Sequence, residues 1–410
     1  MHKRLAMFLL IALAAVVAGC GSDSGSSSSA GGNKQGGPPI KIGASLPLTG
    51  DFSEPGKAAQ QGYKVWEATV NAGGGLLGRK VSFNIRDDAS SQNTVVSDYT
   101  SLISRDKVDL LLGTFSSLLN IPASTVAERN RMLYVEPAGG APEIFGRGYK
   151  HLFFAQQATA DKQGDLFAQY VLALPPDQRP KTAAYPTLDD PFAVPVVEGI
   201  RAKFEAAGIK TVQKSTYPVD TNNFDSIANA VKAKNPDVVV HGATFADGVG
   251  FTRALKKVGF KPRLFFETSA PSFGAQYLKG VGQASTEGVF YAVSHTPEAA
   301  TPGNKEFVAK YQQMFGTGEV PEDAADAFAT AQVMAAAVKG VGSVARNDQS
   351  KLADWLRGNK VDTILGPLSW DDAGRPQGQF LVGQWQNGKP EIVLPKGAAT
   401  THSIVSTYGG

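Results

Sequence analysis

The stretch LLGTFSSLLNIPASTVAERNRMLYVEPAGGAPEIF, residues 111 to 145, decides the fold class. Its opening apolar run reaches Gly113 and predicts a buried strand. The small polar pair Ser116 and Ser117 follows, and the spacing of apolar residues from Ile121 to Arg129 is helical. A buried strand, a loop and a helix in this order are the beginning of a parallel α/β unit.

A second strand in the same stretch, Met132 to Val135, ends in the small residues of segment 137–140 (PAGG). Ends of neighbouring parallel strands meet at the edge where open α/β sheets bind ligands. A helix entered through Ser116 and Ser117 offers unpaired N–H groups, and glycines let a ligand approach the backbone. We therefore expect a small anionic ligand group here, although a serine N-cap and a glycine turn explain the same residues without any ligand.

The rest of the chain repeats this alternation of strands and helices. Strand patterns occur at Ile40 to Leu48, Val81 to Arg86, Thr182 to Tyr185, Thr211 to Tyr217, Asp237 to His241, Arg263 to Glu267 and Gly288 to Val293. Helical patterns lie between them, and two long ones follow near Lys305 to Phe315 and Ala324 to Val341. The order predicts an α/β protein with parallel sheets, and its restart after Phe154 predicts a second lobe.

Residues 1–19 are expected to be an export signal rather than part of the fold. Lys3 and Arg4 precede the apolar run Leu5 to Ala18, which is too short to span a bilayer comfortably. The run ends in VAGC at Cys20, which resembles a bacterial lipobox; this implies cleavage before Cys20 and lipid on its sulfur. The alternative is a stray thiol beside an ordinary cleavage site. Cys20 is the only cysteine, so an intramolecular disulfide is excluded.

Residues 20–38 are rich in glycine and serine, and we expect a flexible tether because such a composition buries no apolar surface. The remaining chain of roughly 370 residues is long enough for two domains. Removal of Lys3 and Arg4 lowers the 40 basic residues to 38, against 37 acidic ones. This near balance predicts no nucleic-acid partner.

Catalytic and metal chemistry are not expected. The string at residues 73–78 (GGGLLG) follows a helix and precedes a strand, which is the reverse of the order that dinucleotide binding requires. No GxSxG motif surrounds Ser116 and Ser117. Pairs of acids such as Asp87 and Asp88 lack histidine partners or the spacing of a calcium loop. We expect no enzyme, no cofactor and no metal, with a secreted α/β hydrolase as the alternative class.

Short segments spread over the body carry a family resemblance. They are IKIGASLPLTG at 40–50, Asn71 to Gly74, Gly78 to Lys80, Asp87-Asp88, Gly113 to Ser117, Pro137-Ala138, Ala141 to Glu143 and Gly366 to Trp370. In this order they resemble type I periplasmic binding proteins of the leucine/isoleucine/valine-binding group. Such proteins are the extracytoplasmic receptors of ABC importers, and the resemblance covers nearly the whole body.

The resemblance implies two doubly wound parallel-sheet lobes, joined by three crossings, that hinge shut over a ligand. The expected crossings lie near 154–159, 289–294 and 364–370. The expected division is 39–156 plus 292–364 for lobe 1, 157–291 plus 365–398 for lobe 2 and 399–410 for a C-terminal tail.

The resemblance also implies a ligand site. In lobe 1, donors to a ligand carboxylate are expected at Phe115, Ser116, Ser117, Ala138, Gly139 and Gly140. In lobe 2, the expected contacts are Asp190, Phe192, Thr244, Phe245, Glu267 and Thr268. The family's acid for a ligand ammonium falls on Thr268, so Glu267 is expected to replace it if its side chain points inward, and Asp190, Asp323 or Asp326 otherwise. A buried ammonium without an acid would be costly.

Together these features predict an exported, monomeric solute receptor, lipid-anchored to the outer face of the cell membrane or in the periplasm. It would bind a small amino-acid-like ligand, with a branched-chain or hydrophobic side chain, and deliver it unchanged to an ABC permease. The departures in lobe 2 leave two other ligands open, a carboxylate such as an aromatic acid and a small amide. A sensor that signals to a membrane partner is a further alternative.

Overall fold

A computed structural model of the chain describes residues 36–316 and 318–409. The predicted signal peptide, the predicted lipidation site at Cys20 and most of the predicted tether lie outside the described residues. All structural statements below concern the described part of the chain.

Strands and helices alternate along most of this part of the chain. The strands are β1 Ile40–Leu46, β2 Val81–Asp87, β3 Leu110–Leu112, β4 Tyr134–Glu136, β5 Leu152–Phe154, β6 Thr182–Leu188, β7 Lys210–Tyr217, β8 Val238–His241, β9 Leu264–Glu267, β10 Val289–Val293, β11 Val361–Thr363, β12 Gly366–Leu368, β13 Leu381–Gln386 and β14 Lys389–Leu394. The α-helices are α1 Ser53–Ala72, α2 Gln92–Ser104, α3 Ser117–Arg129, α4 Pro142–Phe145, α5 Ala160–Gln163, α6 Asp165–Ala173, α7 Ala193–Ala206, α8 Asp225–Lys234, α9 Phe245–Val258, α10 Gly274–Val281, α11 Gln283–Thr286, α12 Asn304–Phe315, α13 Glu322–Val341 and α14 Gln349–Gly358.

The strands form two large sheets. The first has the order β2-β1-β3-β4-β5 and is parallel throughout. The second has the order β14-β13-β10-β9-β8-β6-β7, and only β13 and β14 run antiparallel to their neighbours. The predicted α/β class with parallel sheets is confirmed.

Helices α1 and α13 pack together over the first sheet. Most of α13 from Ala324 to Val338 is buried, and its many alanines allow close approach to its neighbours. A Cβ atom at Gly62 of α1 would lie 2.0 Å from the carbonyl oxygen of Ala324, so only glycine permits this crossing. The start of α13 is thereby fixed against the first sheet.

The second sheet has aromatic cores on both faces. Phe167 packs against Phe266 and Phe290 on one face, with ring centroids 4.8 Å and 5.1 Å away. On the other face, Phe251 and Phe265 lie in a separate buried cluster. Burial of this much apolar surface stabilises the sheet from both sides, as parallel sheets require.

Three segments of chain pass between the regions of the two sheets, and side chains tie these segments together. Gln157, after β5, donates from Nε2 to the carbonyl oxygen of Ser294, after β10, at 2.8 Å. Trp370, after β12, donates from Nε1 to the carbonyl oxygen of Phe154 at 2.6 Å. The lobe boundaries given above stay a proposal.

Helix α3 begins earlier than the sequence pattern predicts. It starts at Ser117, and Pro122 lies inside it. The early start is stabilised because the Ser116 hydroxyl accepts a hydrogen bond from the N–H of Leu119, and the Asn120 amide donates to the carbonyl oxygen of Ser116 at 2.9 Å. Strand β3 ends at Leu112, one residue before the predicted end at Gly113.

No single helix in the described residues is both long enough and apolar enough to cross a membrane. Helix α13 and the segment Arg346–Gly358 meet that test jointly by length and composition, as a pair bent by 96°.

Candidate ligand-binding site

A cavity of about 780 Å³, including its mouth open to solvent, lies at the carboxyl ends of strands from both sheets. Phe115 and Ala138 reach it after β3 and β4 of the first sheet. Asp190 and Thr244 reach it after β6 and β8 of the second sheet. This is the edge at which open α/β sheets bind ligands, so the cavity is the candidate site.

The cavity wall combines aromatic rings with acidic groups. The rings belong to Phe115, Phe154, Phe192, Phe273 and Phe380. The acidic groups belong to Asp190, Glu322, Asp323 and Asp326. Such a wall can accept an apolar group and a positively charged group of the same ligand.

The expected site residues divide into two groups. The cavity is lined by Phe115, Ser116, Ala138, Gly140, Asp190, Phe192 and Thr244. The others lie outside its lining: Ser117, Gly139, Phe245, Glu267 and Thr268. For both groups, contact with a ligand stays a prediction.

Ser116 and Ser117 differ although they are adjacent. Ser116 lines the cavity with a φ of 69°, in the left-handed region, and caps α3. Ser117 is fully buried, and its hydroxyl accepts a hydrogen bond from the N–H of Ala141 at 3.0 Å. Ser117 therefore holds the glycine loop against α3 instead of facing the cavity.

The backbone amides expected to meet a ligand carboxylate already meet a carboxyl of the protein. Glu136, at the end of β4, is fully buried and accepts at Oε2 from the N–H of Ala138 at 2.8 Å and from the N–H of Gly139. Burial raises the pKa of Glu136 to about 8, although both hydrogen bonds lower it. The anion-binding geometry read from the sequence exists here, and an internal group occupies it.

The side chain of Glu267 points into the buried core beside the second sheet and not into the cavity. Its carboxylate lies 2.8 Å from Nδ1 of His241 and accepts from the hydroxyl of Tyr277 at 2.8 Å and from that of Thr252 at 3.3 Å. The neighbouring Thr268 hydroxyl is also used internally, since it donates to the carbonyl oxygen of Ala243 at 2.6 Å. Both side chains serve the packing of β8, β9 and α9.

Phe245 contributes through another ring. It packs against Phe273, which lines the cavity, with 4.8 Å between the ring centroids. Thr244 does line the cavity, and its hydroxyl donates to Asp247 at 2.5 Å. Asp190 accepts from the N–H groups of Phe192 and Ala193, and burial raises the pKa of its carboxyl.

The first turns of α13 bring three acids to the cavity. The Ser294 hydroxyl lies 2.7 Å from Oε1 of Glu322 and 2.7 Å from Oδ1 of Asp326. Burial, with repulsion from Glu322, raises the pKa of Asp323 to about 8. Burial and the neighbouring acids also raise the pKa of Asp326, and burial raises that of Glu322.

The sequence reasoning named Asp323 and Asp326 only as substitutes for Glu267, and it missed Glu322 and Gln156. Glu322, Asp323 and Asp326 stand at i, i+1 and i+4 in a helix, which puts Glu322 and Asp326 on one face. That spacing is a signal in the sequence. Gln156 carries no comparable signal, since it comes from a loop after β5.

The described residues contain no group of three or more His, Cys, Asp or Glu side chains that could hold a metal ion. The acids Glu322, Asp323 and Asp326 at the start of α13, which we call the α13 acids, do not form such a group.

Comparison with known proteins gives a consistent result. Residues 39–390 match the family of periplasmic binding proteins. Leu/Ile/Val-binding protein homolog 7 of Brucella suis biovar 1 (strain 1330) is 27% identical over 378 residues, which cover 88% of this chain and 92% of that protein.

Two solved structures share the fold. A leucine-binding protein, LivK, from Thermotoga maritima superposes with a TM-score of 0.77 at 19% identity, covering 86% of this chain and 97% of that one. A solute-binding protein of an ABC transporter from R. palustris, in complex with benzoate, superposes with a TM-score of 0.76 at 20% identity, covering 90% and 99%. These likenesses confirm the predicted fold of two doubly wound parallel-sheet lobes. The chain belongs to the periplasmic binding protein family.

Proposed function

We propose that this protein is the receptor of an ABC importer, which binds a small amino-acid-like ligand between its two lobes and delivers it unchanged to the permease. The main support for this proposal is one observation: a single cavity is lined by residues that follow strands of both sheets. A ligand in that cavity contacts both sides at once. Such contacts favour the closed arrangement of two hinged lobes, and a permease can recognise that arrangement.

Membership of the family supports the first part of this proposal, the role as a receptor that works with an ABC importer. The family consists of extracytoplasmic solute-binding proteins that work with ABC transporters, and it is not a family of enzymes. The second part of the proposal is the class of ligand, a small amino-acid-like molecule. A relative that is named for Leu, Ile and Val supports an amino acid, and the five phenylalanines can enclose an apolar side chain.

Each end of an amino acid has a partner in the cavity. Ser116 and Gly140 remain at the cavity wall on the side of the first sheet, where a carboxylate can approach them. The acids at the start of α13 line the cavity and can pair with a ligand ammonium group, which is the role that the sequence analysis expected of Glu267. The two ends of the ligand would therefore be held by different elements.

A binding experiment with a cavity-filling variant tests the proposal. Purified protein is screened by thermal shift against leucine, isoleucine, valine, lysine, benzoate and acetamide. A ligand at a hundredfold its dissociation constant adds about 2.7 kcal/mol to the free energy of unfolding. Gly140→Leu should abolish the shift, since a Cβ there lies 3.4 Å from Phe154 and the longer chain would fill the cavity.

Gly358→Leu is the matched control, because Gly358 is exposed and a Cβ there meets no atom within 4 Å. It should leave the ligand-induced shift unchanged. Unaltered ligand should be recovered after incubation. Chemical conversion of the ligand, or equal loss of binding in both variants, would contradict the proposal.

We also propose that lipid on Cys20 and the tether at residues 20–38 hold the receptor at the outer face of the membrane. The lipobox-like sequence before Cys20 supports this anchor. Cys20→Ala should move the protein from the membrane fraction to the soluble fraction without changing ligand affinity. Retention of the variant in membranes would contradict the anchor.

A further inference from the structure

The cavity wall is strongly asymmetric in charge. Asp190, Glu322, Asp323 and Asp326 line it, and none of the described lining residues is lysine, arginine or histidine. A ligand with a net negative charge would therefore face carboxyl groups with no cationic side chain to offset them. The asymmetry favours a ligand that brings positive charge.

Two of the acids on α13 compete for one hydroxyl. The Ser294 hydroxyl lies 2.7 Å from both Glu322 and Asp326, and it has one proton, so it can donate to only one of these carboxyls at a time. Glu322 also accepts from the N–H of Ser294, and the side chain of Gln156 is a further partner of Asp326. Two close carboxyls that share a donor keep acceptor capacity for a group that brings several N–H donors and a positive charge.

Acids at the start of a helix also have an ordinary explanation, because they complement the helix dipole. That role requires no burial, since an exposed acid in the first turn interacts with the dipole as well. Asp326 is only 6% exposed, and desolvation of a carboxylate is costly unless the charge is paired. The dipole therefore does not explain why these acids face a cavity.

Gln156 supplies an independent observation. Its side chain lines the cavity and is only 4% exposed. Its Nε2 donates to the carbonyl oxygen of Pro137 at 3.0 Å, while its Oε1 has no hydrogen-bond partner among the described residues. Buried polar atoms are nearly always paired in native proteins, so this acceptor calls for a donor from the ligand.

The opposite wall keeps fewer donors for an anion than the sequence predicts. The amides of Ala138 and Gly139 donate to the buried Glu136, whereas the Ser116 hydroxyl, which accepts from the N–H of Leu119, still has its own proton to donate. The aromatic rings suit a cation as well, because the face of a phenylalanine attracts positive charge.

We propose that the ligand is a small organic cation with N–H donors, an ammonium or guanidinium compound of net positive charge, such as an amino acid with a basic side chain. This rests on the proposed function, because it names the ligand class of the same cavity. The α13 acids and Gln156 receive the N–H groups of the cationic end. The phenylalanines surround the aliphatic part of the ligand.

Calorimetric titration of the intact protein tests this inference with lysine, arginine, putrescine, leucine and benzoate as probes. At least one of the three cationic probes should bind at least tenfold more tightly than leucine, and benzoate should not bind. Asp323→Asn should weaken binding of that cation by roughly tenfold to a hundredfold, the usual effect of losing a hydrogen bond to a charged group. Asp326→Asn should act in the same direction.

Asp362→Asn is the matched control, because Asp362 is exposed on β11, and it should leave the affinity unchanged. Circular dichroism checks that each variant is folded, and the wild-type comparison of probes stands even if Asp326→Asn does not fold. Leucine bound as tightly as every cation, with no effect of Asp323→Asn, would overturn the cationic ligand and leave the receptor intact. Absence of binding by every amino acid and putrescine would overturn the receptor function as well.

Discussion

Glu267 and Asp326 are both buried acids, yet their surroundings differ. The carboxylate of Glu267 has His241, Tyr277 and Thr252 as partners, each from a different element of the second lobe. Asp326 shares the Ser294 hydroxyl with Glu322, and burial, together with repulsion from the neighbouring acids, raises the pKa of Asp326. The number of donors that the protein itself supplies separates the two sites.

This difference assigns different roles to the same kind of residue. A buried acid whose donors come from several elements, as for Glu267, cross-links those elements. Glu136 accepts at Oε2 from two neighbouring amides, and its Oε1 has no hydrogen-bond partner among the described residues. We call Glu136 and Glu267 the strand-end carboxyls, because each ends a strand. The α13 acids share donors and face a cavity. The strand-end carboxyls should govern stability, and the α13 acids should govern binding.

The largest expected effect comes from Glu267→Ala. The change leaves His241 and the hydroxyl of Tyr277 buried without their acceptor, and loss of one member of such a buried network costs about 3–5 kcal/mol. Urea unfolding followed by circular dichroism measures the loss. The ligand affinity of the remaining folded protein should stay within twofold of wild type.

Glu306→Ala is the control for that variant, because Glu306 is exposed on α12 and should alter the free energy of unfolding by less than about 0.5 kcal/mol. A Glu267 variant that keeps its stability but loses ligand would erase the distinction between the two sets of acids.

A smaller effect is expected from Gly139→Ala, which probes the other strand-end carboxyl. A Cβ at Gly139 would lie 2.8 Å from both carboxylate oxygens of Glu136, too close without a shift of that side chain. Overpacking of this kind costs about 1–3 kcal/mol. Thermal unfolding of the ligand-free protein measures it.

Gly140→Ala is the matched partner of that variant. A Cβ there meets its nearest neighbours at 3.4 Å, an ordinary contact, so stability should change little. Equal destabilisation by the two alanines would show that the position of Glu136 does not matter.

The smallest expected effect is a change in pH dependence from Asp323→Asn. Burial raises the pKa of Asp323 from its ordinary 3.8 to about 8, so the folded protein prefers the protonated form. The stability contributed by this group is full below about pH 4 and is lost as the pH rises through 8. Glu322, Asp326 and Asp190 face the same cavity and titrate in both proteins.

Melting temperatures from pH 5 to pH 8.5 provide the test. Because Asp323 is partly exposed to solvent, which screens its charge, we expect a loss of about 1 kcal/mol, or about 2–4 °C, for the ligand-free wild type relative to Asp323→Asn over this range. The Asp323→Asn variant is the reference for the wild type. The titration of groups that both proteins contain, such as Glu136, cancels when their melting temperatures are subtracted. Parallel curves for the two proteins would show that the α13 acids are solvated like surface acids.

Much of the fold could be predicted from the sequence, because the patterns that indicate strands and helices are local. The apolar runs of β1, β3, β8 and β9 predict parallel strands, and the pair Ser116 and Ser117 is expected at the entry to a helix, where Ser116 caps α3. Pro122 misled the boundary of α3, since proline is common at a helix start and here lies inside the helix. Helix α14 was not predicted at all.

The orientation of the Glu267 side chain could not be predicted in the same way. Whether the last residue of a strand faces a cavity or a core depends on the helices that cover each face of the sheet. A signal did exist: the register pairs His241 with Glu267 across β8 and β9, so two complementary polar residues end neighbouring buried strands. Such a pairing favours an internal hydrogen bond over a ligand contact.

The placement of the α13 acids depends on contacts between distant parts of the sequence. The start of α13 reaches the cavity because Gly62 of α1 lets Ala324 pack closely. The sequence shows three acids at a helix start, and it does not show which side of the sheet that start approaches. Asp323 and Asp326 therefore entered the prediction only as substitutes.

The side chain of Gln157 has a consequence for biosynthesis. It donates to the carbonyl oxygens of Ser294 and Leu365, at 2.8 Å and 3.5 Å, and so connects the chain with itself over 137 and 208 residues. Contacts over such long sequence separations form slowly. The complete tie between these three segments therefore forms only after residue 365 has been synthesised, so the joint between the two sheets is completed late in the production of the chain.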